Sequence, residues 1–109
     1  ICISASPSQT RHFFEIVMRS RAVESTVYFI YSNLTGFDSK MNFWGGGEII
    51  DPRGKTLEKG PYYDEANIRA CLDDEIIRCS RYVRPSLRDT HPHIRNMLQE
   101  WGRCDDSDQ

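Results

Sequence analysis

Four cysteines, Cys2, Cys71, Cys79 and Cys104, are the side chains in this sequence best able to do chemistry. A thiolate can attack an electrophilic carbon or ligate a soft metal, and a pair of thiols can close a disulfide. No two of them stand as C-x-x-C, so a zinc ribbon is unsupported even with His91 and His93 close together. The His-Pro-His segment is polar and reads as surface. The chain is not a small cysteine-dense secreted domain, so the cysteines read as free thiols in a reducing cytosol. No metal site and no cofactor are expected.

The elements that must position any reacting group follow from the pattern of apolar residues. Residues 1–6 read as a short apolar strand ending in the elbow Ser4-Ala5-Ser6-Pro7, since proline cannot continue a central ladder. Over residues 10–26, Phe13, Phe14, Ile16, Val17, Met18, Ala22 and Val23 give a helix with a broad apolar face, and Ser8 or Thr10 can cap its start. Residues 27–33, VYFIYSN, predict a strand covered on both faces. Residues 34–42 read as a polar loop and 43–50 as a second strand, whose Gly45-Gly46-Gly47 predicts a bulge or a close backbone approach.

Asp51-Pro52-Arg53-Gly54 has the composition of a type I turn, with a returning strand from Lys55. Residues 65–72 alternate well enough for a last strand near a sheet edge. Residues 73–83 predict a helix with Asp73 and Asp74 at its start and arginines at its end, stopped by Pro85. Residues 91–101 suggest a short final helix, and residues 103–109 an acidic tail.

A chain of 109 residues supports one domain. With 39% apolar and 28% charged residues it has a globular composition, and no apolar run approaches the ~20 residues a membrane span needs. A formal charge of -2 gives no electrostatic footprint for nucleic acid. The first residues, Ile1 to Ile3, look like the middle of a buried strand, so the chain is expected to lack its own beginning.

Four stretches in this order resemble the C-terminal half of the nitrilase superfamily, the carbon-nitrogen hydrolases. They are the strand ending in SASP (Ser4 to Pro7), and the helix end RA-x-E (Arg21, Ala22, Glu24) with the strand closing in N-x-x-G (Asn33 to Gly36). Then come GGGEIIDPRG (Gly45 to Gly54) and the closing RPSLRD (Arg84 to Asp89). The resemblance implies an α/β fold, part of an αββα sandwich that is incomplete in this chain. Residues 1–102 would be the C-terminal portion of a carbon-nitrogen hydrolase domain.

It further implies cleavage of a non-peptide C–N bond through a Cys-Glu-Lys triad that precedes the SASP strand, so no catalytic residue is expected within the chain. Cys2 sits where Ile-Cys and an apolar residue mimic the start of a nucleophile motif. The acidic and Phe-Pro-Glu residues that should follow are absent, and Cys2 reads as a buried structural cysteine. Ser6 and Arg11 are the substrate-binding residues the resemblance implies. Glu24 reads either as a buried hydrogen-bond partner or as a solvated helix-end carboxylate, and Asn33 as structural. Gly47 departs from the family, where a serine often follows the glycine pair.

The expected partners are a small amide or nitrile, the N-terminal half of the same domain, and a second copy in a C2 homodimer or higher homo-oligomer, with no nucleic acid and no membrane. The competing reading is a non-catalytic α/β binding or scaffolding domain.

Overall fold

The computed structural model describes residues 1–86 together with 89, 92, 93 and 96. The sequence-predicted helix over 91–101 and the tail over 103–109 lie largely or wholly outside the described residues, as do Cys104 and His91. The elements run β1 (Cys2–Ser4), a single 3-10 turn (Ser8–Thr10), α1 (Arg11–Ser25), β2 (Phe29–Asn33), β3 (Thr35–Asp38), β4 (Met41–Trp44), β5 (Glu48–Ile50), β6 (Thr56–Lys59) and α2 (Asp74–Val83). Four strands form one sheet in the order β1-β2-β5-β6, and β3 and β4 form a separate hairpin. β1 and β2 are parallel, with Ile3 opposite Ser32, while β5 is antiparallel to both β2 and β6.

Residues that alternate along β2 point to opposite faces of the sheet. On one face Tyr31, with Ile50 from β5, packs under α1 against Met18 and Ala22, and Trp44 completes this core. The Tyr31 and Trp44 rings stack at 5.5 Å between centroids. Among the described residues no helix lies over the other face. Ile3 there is 85% exposed, Ser32 is exposed and Ile30 half-buried. The strand expected to be covered on both faces is therefore covered fully on one.

Five other expectations are corrected. Thr10 does not cap α1 with its hydroxyl, because that hydroxyl donates to the Pro7 carbonyl at 2.9 Å, while the Ser8 hydroxyl donates to the Asn42 carbonyl at 2.8 Å. The segment read as a polar loop, 34–42, is mostly the β3–β4 hairpin, and the strand read over 43–50 is broken by its glycines into β4 and β5. Residues 65–72 form no strand, and β6 remains the sheet edge, because alternation alone supplies no partner ladder. Cys2 is only half-buried.

The turn at 51–54 forms as expected. The Gly54 amide donates to the Asp51 carbonyl at 2.9 Å, and the Asp51 carboxylate accepts the Arg53 and Lys55 amides at 2.8 and 3.0 Å. The helix α2 starts on an Asp73 cap that accepts the Glu75 amide. It is tied to the sheet domain by Tyr28, whose hydroxyl bonds both backbone groups of Asp73, and by Arg84, which donates to the Val23 and Pro52 carbonyls. No helix among the described residues is long and apolar enough to cross a membrane.

Candidate active site

The carboxyl ends of β1 and β2 lie side by side because the two strands run parallel, and that is where ligands settle in open α/β sheets. Both chains must turn away there, and a side-chain clasp holds them. The Ser6 amide donates to the Asn33 carboxamide oxygen at 2.8 Å, and the Asn33 NH2 group donates back to the Ser6 carbonyl at 3.2 Å. Asn33 thus does for the SASP elbow what a ladder would do for a strand.

The Ser6 hydroxyl is buried and its protons can be assigned. Trp44 Nε1–H donates to Ser6 Oγ at 3.1 Å, and Thr10 already gives its proton to Pro7. Ser6 must therefore donate to Thr10 Oγ1, at 2.5 Å. A directed chain runs from the core indole through Ser6 and Thr10 to the elbow's own backbone. Tyr31 lies beside this chain, and its burial pushes its hydroxyl pKa up against the opposing effect of Ser4 and Ser6.

Beside the clasp, the three glycines let two backbones come together. Gly45 and Gly46 have φ of +64° and +63°, and a Cβ on Gly46 would stand 2.5 Å from the Trp44 ring. A Cβ on Gly47 would come within 3.2 Å of the Tyr31 carbonyl oxygen. This kink, and the loop after β6 to which Gly46 donates at Pro61, enclose a cavity of about 490 Å³ against Asn33 and Thr35.

Arg11 is not on the cavity wall. Its guanidinium lies over the Tyr62 ring at 4.7 Å from the centroid, with Lys59 Nζ at 4.9 Å. The Tyr62 hydroxyl accepts from Lys59 at 2.8 Å and donates to the Glu15 carboxylate. Burial alone would raise the Glu15 pKa, but the Tyr62 hydroxyl and Lys59 outweigh it and hold the carboxyl below its ordinary value. Burial would likewise lower Lys59, and Tyr62 with Glu48 and Glu15 overcomes that and raises it. This cluster pins the loop after β6 to α1.

The structure brings Ser6 and Asn33 together, and places Arg11 one aromatic ring away from the loop that borders the cavity. Glu24 is exposed and pairs with Arg21 at 3.2 Å, which is the solvated helix-end carboxylate. Cys2, Cys71 and Cys79 are free thiols, and none hydrogen-bonds to a glutamate or lysine among the described residues. No group of three described residues could hold a metal ion. Sequence reasoning missed Tyr62 and Tyr63, although two tyrosines between Pro61 and Asp64 in a loop are themselves a signal of aromatic contact.

The decisive comparison is with protein families. Residues 3–79 match the model of the carbon-nitrogen hydrolases over more than half of the chain. The chain belongs to the carbon-nitrogen hydrolase family. A curated relative, the hydrolase in the agr operon of Staphylococcus lugdunensis, is 24% identical over 81% of this chain and 37% of its own length. The 2-oxoglutaramate amidase of Paenarthrobacter nicotinovorans is 30% identical over 70% of this chain and 26% of its own.

Among solved structures, a CN-hydrolase superfamily protein of Xanthomonas campestris superposes with a TM-score of 0.74 at 19% identity, covering 80% of this chain and 33% of that one. A branch 10 member of the nitrilase superfamily from Saccharomyces cerevisiae gives 0.66 at 26%, covering 84% and 34%. This carbon-nitrogen hydrolase chain therefore has the family's α/β fold and spans roughly a quarter to two fifths of the length of the relatives it matches.

Proposed function

We propose that the chain is the C-terminal portion of a carbon-nitrogen hydrolase that cleaves a non-peptide C–N bond of a small amide or nitrile. The observation that carries this is the Ser6–Asn33 clasp at the carboxyl ends of two parallel strands, beside the glycine-built cavity, in a chain of this family. The reacting groups, a cysteine, a glutamate and a lysine, come from sequence upstream of this chain. For an amide, the thiolate attacks the carbonyl carbon while the ammonium stabilises the oxyanion. The carboxylic acid then protonates the departing nitrogen to release ammonia, and water cleaves the thioester to the acid.

In this reading Ser6 and Arg11 lie on the substrate side, Ser6 by fixing the elbow and Arg11 by holding the Tyr62 loop that borders the cavity. An Arg11→Ala variant of the full-length protein should show a raised KM, and an unchanged KM removes Arg11 from the site. The exposed apolar residues of α1, Phe13, Ile16 and Val17 at 67%, 54% and 49%, support a second copy as the partner of that helix. Sedimentation of the full-length protein as a monomer at micromolar concentration contradicts this. The free thiols support a cytoplasmic setting.

A further inference from the structure

We infer that Tyr62 is a positioning residue for the substrate side: its ring fixes the Trp44 indole, and the indole fixes the hydroxyl of Ser6 in the elbow. This rests on the hydrolase reading above and adds to it a role for Tyr62. Trp44 is fully buried, and its Nε1–H is the donor that sets Ser6 Oγ, at 3.1 Å. An indole has one N–H, in the plane of its ring, so a tilt of Trp44 carries the donor off Ser6. Two rings hold that plane. Tyr31 stacks on the indole from within the core, and Tyr62 meets it from the loop after β6, at 6.2 Å between centroids and 56° between planes, in the range of attractive aromatic pairs.

The loop is fastened on both sides of Tyr62 to the segment that carries Trp44. The Gly46 amide donates to the Pro61 carbonyl at 3.1 Å, and the Tyr63 amide donates to the Trp44 carbonyl at 2.8 Å. A Cβ on Gly46 would stand 3.1 Å from the Tyr62 ring as well as against Trp44, so the glycine is what lets the two rings approach. Tyr62 is 39% exposed, and a side chain that open to solvent ordinarily changes rotamer within nanoseconds. Here its hydroxyl is engaged by Lys59 and Glu15, and its ring lies under Arg11. The ring is thereby locked in the place where it packs on the indole.

A second tie reaches the same elbow by a different route. The Tyr63 hydroxyl donates to Ser8 Oγ at 3.2 Å, and Ser8 gives its own proton to the Asn42 carbonyl. Adjacent tyrosines thus act on Ser6 and Ser8, which flank Pro7 of the elbow. The reacting groups of the proposed hydrolase come from upstream, so an elbow that shifts misplaces the substrate rather than the nucleophile. The loss should fall on KM.

Ammonia release by the full-length protein tests this with butanamide, succinamate and 4-aminobutanamide, the best of the three serving for kinetics. Tyr62→Leu, which removes the ring, should raise KM about tenfold and leave kcat within about twofold. Tyr62→Phe keeps the ring on Trp44, and Glu15 and Lys59, 3.5 Å apart, can pair directly, so KM should stay within about twofold of the wild type. A ring that only stabilised the fold would act on the active fraction, lowering kcat at unchanged KM. A loss in Tyr62→Leu that falls mainly on kcat, no loss at all, or an equal rise in KM in Tyr62→Phe overturns the inference. Tyr62→Met, also ringless, replaces Tyr62→Leu if that variant does not fold. Amide hydrogen exchange in the same samples reads the elbow without turnover. Residues 6–10 should exchange about fivefold faster in the ringless variant and at the wild-type rate in Tyr62→Phe, and equal exchange in all three overturns the inference. No ammonia from the wild type with any of the three amides sinks the hydrolase reading, while the exchange still decides whether Tyr62 holds the elbow.

Discussion

Removing Arg19 should destabilise this protein far more than removing Arg19 and its partner together. The Glu48 side chain has no solvent exposure, and one oxygen, Oε1, takes both of its bonds, from Arg19 Nη2 at 2.6 Å and from the Thr56 hydroxyl at 2.5 Å. Its other oxygen has no partner among the described residues. Breaking a buried pair by deleting one member typically costs about 3–5 kcal/mol, because a charge is left uncompensated. Arg19 is 40% exposed, so water can replace part of it, and Arg19→Met should cost about 2–3 kcal/mol. Glu48→Met leaves a hydrated arginine rather than a buried anion and should cost about 1 kcal/mol. The Arg19→Met, Glu48→Met double variant puts apolar groups of similar size in both places and should lie within about 1 kcal/mol of the wild type. The coupling in the cycle is then about 2 kcal/mol or more, read as shifts in the urea midpoint at constant slope. A cost below about 1 kcal/mol for Arg19→Met, or additive single variants, would mean that Glu48 does not depend on Arg19 as a buried, paired charge.

Two further outcomes follow from local geometry. Burial alone would raise the Asp51 pKa, but the Arg53 side chain and the Lys55 and Arg53 amides hold it below the ordinary value. Its stabilisation should be complete above the unfolded carboxylate pKa of ~4 and disappear as pH falls through the lower folded value. The urea-midpoint gap between wild type and Asp51→Asn should therefore be flat near neutrality and close in acid. Gly46→Ala should cost at least about 2 kcal/mol in denaturant melts, since it adds a clash with the buried Trp44 ring to a left-handed φ. A loss under about 0.5 kcal/mol would mean the kink is not required.

What the sequence disclosed was mostly local. The turn at Asp51 to Gly54 is read from four residues because proline, glycine and a carboxylate each set it from within. The hairpin of β3 and β4 was hidden because its turn uses Ser39 and Lys40 at φ of +48° and +69°, without the Asn-Gly or Asp-Gly that such conformations favour. The failed strand at 65–72 had the right alternation, but pairing depends on a neighbour that alternation does not specify. In the site, Asn33 and the glycines were legible as constrained positions. The bond from Trp44 to Ser6 spans 38 residues and the Tyr62 cluster joins α1 to the loop after β6, and neither follows from any local pattern.

On the function proposed above, this chain builds the wall of a hydrolase site whose nucleophile comes from outside it. The direct test is ammonia release from a small amide by the full-length protein and its Cys2→Ala variant, with the isolated 109-residue chain as the third sample. Equal rates are expected for the first two and none for the third. Loss of activity in Cys2→Ala with its fold intact, or ammonia released by the chain alone, would contradict that proposal.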